Sequence, residues 1–150
     1  MTTDTAGLQA TDSRTRRRAI GGRTLRLLLA LATAGLFLSA RAPAGISVDL
    51  VNVALLVVMC AATVALVATA FPTMVGVLAV MAAVWSGMGF SVWLVLTASL
   101  LYSMHLLAGL CEVIPATARI ERGALRPSLI RWTQVQLATV PVLALLAAFL

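Results

Sequence analysis

A run of sixty-two residues, Leu50–Cys111, contains no Asp, Glu, Lys or Arg, and its one imidazole is His105. Soluble domains carry about 25% charged residues, so a stretch of this length without any belongs in lipid. The whole chain agrees: 61% of its 150 residues are hydrophobic and 11% are charged. The expected fold class is an all-α integral membrane protein, because within a bilayer only helices and closed barrels satisfy their own backbone.

Length decides how often the chain crosses. The segment from Asp49 to Ile114 would make roughly 99 Å of helix at 1.5 Å per residue. A hydrocarbon core of about 30 Å takes about 17–25 residues per span. One span is therefore excluded, and two would be far too long. Three spans of about 20 residues fit, broken at Pro72 and at Gly87/Gly89. An apolar stretch precedes this segment and another follows it. The predicted spans are 24–40, 49–69, 72–87, 90–113 and 129–150, a five-transmembrane-helix bundle. The alternative is four spans, with the third segment re-entrant or fused to a neighbour.

The charges orient the bundle. The 11 basic residues are all arginine, and the net charge is +6. Arg14, Arg16, Arg17 and Arg18 lie in a polar tail, residues 1–23, that is too poor in apolar groups to fold and is expected to be disordered. Arg119, Arg122, Arg126 and Arg131 lie in or beside a basic loop, 115–128, against Glu121 alone. Short cytoplasmic segments are enriched in arginine and lysine. Both clusters are then cytoplasmic, which requires an even number of crossings between them, and four satisfies this. The N-terminus is predicted to be cytoplasmic and the C-terminus to lie on the opposite side. These eight arginines are read as membrane-surface and orientation signals. They are not read as a nucleic-acid site, since no soluble surface exists to present them.

Local signals refine the picture. Arg26 lies one turn inside the first span and can snorkel to the interface. A cleavable leader ending at Ala42-Pro43-Ala44 competes with the first span, although Pro43 is ill suited to such a motif. Ser47 is a candidate N-cap for the second span, with Asp49 favouring its dipole. Pro141 should bend the fifth. The 116–122 segment can form a short amphipathic turn with Ile120 toward lipid. Small residues at helical spacing, Ala61 and Ala65 on span two and Gly76, Ala79, Ala83 and Gly87 on span three, mark helix–helix contacts. Cys60 and Cys111 have no CxxC spacing and read as small buried hydrophobes.

Chemistry-bearing residues are few. At 100° per residue, Ser91, Ala98, Tyr102, His105, Gly109 and Glu112 fall on one stripe of the fourth span. Intramembrane polar groups usually face a bundle interior or a water-filled cavity. Tyr102, His105 and Glu112 are the candidate polar stripe, read either as interhelical ties or as a proton or ion path. Glu112 has an interfacial reading too, paired with Arg119 or Arg122. Gln134 and Gln136, one turn into the fifth span, are expected at the depth of Glu112 and form a candidate polar layer with it.

There is no Walker A loop, no H-E-x-x-H, no G-x-S-x-G and no pair of intramembrane carboxylates. No catalytic, metal or cofactor site is expected, and the chain is not expected to be an enzyme. The first expectation is a non-catalytic accessory or assembly subunit of a membrane complex. The alternative is a small oligomeric transporter or channel using the polar stripe. The expected partners are the lipid bilayer and either another membrane protein or a second copy of this chain, in a cell membrane.

Overall fold

A computed structural model describes residues 19–45, 49–85 and 91–149. The chain is predominantly helical. Five helices follow one another: α1 (Gly22–Arg41), α2 (Leu50–Ala65), α3 (Phe71–Trp85), α4 (Val92–Val113) and α5 (Arg122–Phe149). Two three-residue strands, β1 (Ala19–Gly21) and β2 (Arg119–Glu121), complete it. Each helix overlaps one of the predicted apolar stretches. Three of them, α1, α4 and α5, are long and apolar enough to cross a membrane. α2 has 16 residues and α3 has 15, about 24 and 22 Å of helix, which is short of a 30 Å hydrocarbon core. The expected Ser47 cap, the Gly87/Gly89 break and Arg14, Arg16, Arg17 and Arg18 lie outside the described residues.

The core is built between α1 and α4, the most extensive helix pair. On α1 the buried positions are Leu25, Leu29, Ala32, Leu36 and Ala40. Their steps of four, three, four and four residues trace one seam along the helix. On α4 Thr97, Met104, Ala108 and Cys111 are buried, again at heptad-like spacing. Gly35 meets the side chain of Leu100 across this pair. The buried hydroxyls find acceptors. Thr33 Oγ1 donates to Leu29 O at 2.9 Å, Thr97 Oγ1 donates to Ser39 Oγ at 3.0 Å, and Ser39 Oγ donates to Leu36 O at 3.0 Å.

One end of this pair is clamped by backbone. β1 and β2 pair antiparallel, with Ile20 opposite Ile120 and Gly21 opposite Arg119. Gly22 N–H donates to Ala118 O at 2.9 Å. A Cβ at residue 22 would lie 2.1 Å from Pro115 O, so only glycine lets the 115–118 segment approach the start of α1. The beginning of α1 and the end of α4 therefore share one end of the bundle.

This clamp corrects three expectations. The tail does not extend to residue 23: Ala19–Gly21 is a strand, and α1 begins at Gly22, two residues before Thr24. The 116–122 segment is not an amphipathic turn. Residues 119–121 are extended, and Ile120 packs with Ile20 and Ala118 against the core rather than toward lipid. The basic loop 115–128 is shorter than predicted, because α5 starts at Arg122 and runs through Pro127 and Pro141. The reason is Leu125, which is 6% exposed. Docking that one leucine on the core draws residues 122–128 into helix despite the amide lost at Pro127.

The small-residue stripes also divide. Gly76, Ala79 and Ala83 on α3 are buried, whereas Ala61 and Ala65 on α2 are exposed. The buried residue of α2 is Thr63. Asp49 caps α2, its Oδ1 accepting from Asn52 N at 2.7 Å. Arg41 donates to Asn52 Oδ1 and lies over the Phe37 ring, 5.5 Å from its centroid, tying α1 to α2 at the end away from the clamp.

Candidate functional site

The face of α4 that α1 requires is not the polar stripe. Met104 is 1% exposed, and the next residue, His105, is turned about 100° from it and is exposed. Tyr102 and His105 instead line an open, mostly apolar groove of about 520 Å³ between α3 and α4. Pro72, Thr73, Gly76 and Val77 form its α3 wall. Gly76 brings the helices together: a Cβ there would come within 2.8 Å of Leu101 Cδ1. Pro72 stands in the first turn of α3, where a missing amide removes nothing the helix would use.

Glu112 does not reach the groove. It lies near the clamped end of α4 and is exposed, and among the described residues no ion pair joins it to Arg119 or Arg122. The structure therefore brings Tyr102 and His105 together and leaves Glu112 apart.

The expected layer of Glu112 with Gln134 and Gln136 is not what the helices build. Gln136 hydrogen-bonds to Ser99, whose Oγ donates to Gln136 Oε1 at 2.8 Å, while Gln136 Nε2 donates to Ser99 O at 3.3 Å. Ser99 is thirteen residues before Glu112, about 20 Å along α4. Gln134 is exposed beside Arg126, Pro127 and Arg131. The error was one of register. α5 packs antiparallel on α4 with Gln136 at Ser99 and Trp132 at Ser103, and so slides Gln136 toward the far end.

That contact is the clearest polar device in the bundle, and sequence reasoning missed it. Trp132 Nε1 donates to Ser103 Oγ at 2.9 Å, and Ser103 Oγ donates to Ser99 O at 2.8 Å. Trp132 is thus half-buried against α4. A signal was present: the serines at 99 and 103 and the donors at 132 and 136 share a four-residue spacing, which is one helical face on each partner.

Two further features complete the inventory. A cavity of about 300 Å³ between α1, α2 and α3 is walled by Leu36, Met59 and Ala79, with Arg41 at its edge. Near the clamped end Arg119, Arg122 and Arg126 are exposed, as is Arg23, and Arg131 is exposed farther along α5, beside Trp132. Cys60 is half-buried and donates to Ala30 O at 3.5 Å, and Cys111 is buried; both are free thiols. Among the described residues no three of His, Cys, Asp and Glu cluster to hold a metal ion.

Fold and site together describe a small helical protein with three candidate membrane-spanning helices and a lateral groove bearing one Tyr and one His. No family model, no curated protein and no solved structure matches the chain.

Proposed function

We propose that the chain is a multi-pass membrane protein that acts as a non-catalytic accessory or assembly subunit, and that the α3–α4 groove seats a transmembrane helix of its partner. The observation that carries this reading is the position of Tyr102 and His105 on a lateral groove. Acyl chains cannot hydrogen-bond an imidazole or a phenol, whereas a polar residue on a neighbouring helix can. The small residue Gly76 in the wall favours close approach of a further helix.

In this reading the chain crosses the membrane five times with its N-terminus in the cytoplasm. Its support is the β1–β2 clamp, which holds the start of α1 and the Arg119–Arg122 segment at one end. The positive-inside rule then assigns that end to the cytoplasm.

The test is affinity purification of a tagged copy from its native membranes in mild detergent, comparing wild type with Val77→Trp, which fills the groove from its exposed rim. A stoichiometric partner should accompany the wild type and be lost from V77W at unchanged expression. A partner retained by V77W, or a wild type that purifies alone, would overturn the docking reading.

A second reading, an oligomeric transporter or channel, draws on the same groove being open and holding the one imidazole. It requires His105→Ala to abolish flux in reconstituted vesicles while leaving oligomer size unchanged.

A further inference from the structure

The cavity between α1, α2 and α3, about 300 Å³ in volume, is built from one face of each helix. On α1 that face is Thr33, Leu36, Phe37, Ala40 and Arg41, which follow the i, i+3, i+4, i+7, i+8 spacing of a single stripe. Leu36 and Ala40, with Ala79 of α3 opposite them, are buried and form the floor. Ala79 and Ala82 offer only methyl groups from α3, which leaves the space open. α2 and α3 each pack more on α1 than on one another, and the cavity opens sideways between them. Leu55 of α2 and Leu78 of α3, at the two lips, are 44% and 58% exposed.

The wall is apolar apart from two residues. The hydroxyl of Thr33 is already spent on Leu29 O. An apolar cavity offers water no partners and favours an apolar occupant. Its volume holds roughly ten methylene-sized groups at about 30 Å³ each, the bulk of one alkyl chain and not of two.

Arg41 is the second polar residue, and it stands at the edge. It is the last residue of α1, at the end away from the clamp. Its guanidinium lies over Phe37, itself a wall residue, and donates to Asn52 Oδ1, a neutral acceptor. A guanidinium has five N–H groups, so this bond leaves donors to offer. The planar fork matches the two oxygens of a carboxylate. One end of the cavity therefore suits an anionic head, and the rest suits a single chain.

We propose that the cavity binds a long-chain fatty acid, with its alkyl chain in the α1–α2–α3 slot and its carboxylate on Arg41. The ligand enters sideways from the bilayer, between Leu55 and Leu78. The site rests on the membrane reading of the helices and is independent of the partner reading of the α3–α4 groove.

Photolabelling of the full chain in phosphatidylcholine nanodiscs tests it. The probe is laurate carrying a diazirine near the chain end, and labelled residues are located by peptide mass spectrometry. Label should fall on Leu55, Met59 and Ala79. Unlabelled laurate should compete roughly tenfold better than dodecanol, the worth of one charge-assisted contact. In Arg41→Gln that advantage should vanish while dodecanol competes as before, which a loosened helix pair would not give. Arg41→Lys should keep part of it, since an ammonium retains the charge and loses the fork. Ala82→Phe fills the slot from its exposed rim and should cut labelling severalfold; Leu55→Trp does the same from the other lip and serves if Ala82→Phe does not fold. Ala65→Phe, exposed on α2 outside the slot, should label as wild type does. Undiminished labelling in both filling variants would overturn the site, as would label spread over the outer faces of α2 and α3. Equal competition by laurate and dodecanol in the wild type would overturn the carboxylate assignment. A chain that does not enter the nanodiscs would overturn the membrane reading and the site with it, whereas one that enters and takes no label would overturn the site alone.

Discussion

Along α1 and α4 the chain buries Leu29 and Leu36 to 0% exposure and Met104 to 1%. Along α2, built from the same residue types, the buried side chain is a threonine, and Val57 and Val58 are each 60% exposed. α2 carries no charge whereas α1 carries Arg23, Arg26 and Arg41, so the more apolar helix is the less buried one and hydropathy does not explain the difference. Length and fastening do. α1 and α4 run about 30 and 33 Å, are closed at one end by β1, β2 and the Gly22–Ala118 bond, and are stitched near the other by Ser39 and Thr97. The α2–α3 hairpin is shorter, and its Leu66–Ala70 connection carries no charge to pin it at an interface. In lipid, where tails are as apolar as leucine, burial between helices reflects close packing and hydrogen bonding rather than aversion to water. The α1–α4 pair has both. α2 is tied mainly by Arg41 to Asn52 and by Cys60 to the Ala30 carbonyl.

The comparison can be broken most directly at the clamp. Gly22→Val would drive a side chain into the Pro115 carbonyl, a backbone atom that no rotamer change can move. It should destabilise the bundle by about 3 kcal/mol, at the upper end for overpacking, seen as a lowered unfolding midpoint in mild detergent. A wild-type midpoint would show that the clamp does not hold the pair together.

Matched truncations sharpen the contrast. Leu29→Ala, in the α1–α4 seam, should cost about 2 kcal/mol through the cavity it leaves. Val57→Ala on α2 should stay within about 0.5 kcal/mol, as a substitution at an exposed site. Equal losses would erase the distinction between core pair and hairpin.

The smallest effect is expected where α5 meets α4. Ser103→Ala removes the acceptor of the Trp132 N–H with little change of volume, and should cost about 0.6 kcal/mol, the average for an interhelical hydrogen bond in a membrane protein. A loss several times larger would place α5 with the core pair rather than at its margin.

Much of this architecture was legible in the residues. Five apolar stretches become five helices, and the fourth ends at Val113, the predicted limit of its span. The arginine-parity argument required Arg119 and Arg122 at the end where α1 begins, and β2 stands there beside β1. The faces of α4 were not legible. In a helix that is apolar all round, a hydrophobic period carries no information, so the stripe of Tyr102, His105 and Glu112 does not reveal whether it faces a packed interior or a cavity. α1 instead selects the Thr97–Met104–Ala108–Cys111 face, whose small and flexible side chains admit its leucines. The same limit hid the register of α5, and with it the Ser99–Gln136 contact.

The sequence alone therefore determined the helical class and the presence of helices long and apolar enough to cross a membrane, because these depend on composition and on lengths measured against a bilayer. Tertiary structure decided which face of each helix is buried, that residues 19–21 and 119–121 form a strand pair, and that one nitrogen of Arg26 has no partner among the described residues. Those outcomes depend on fits of a few ångströms between segments far apart in the chain, such as Gly22 against Pro115, and no local pattern encodes them.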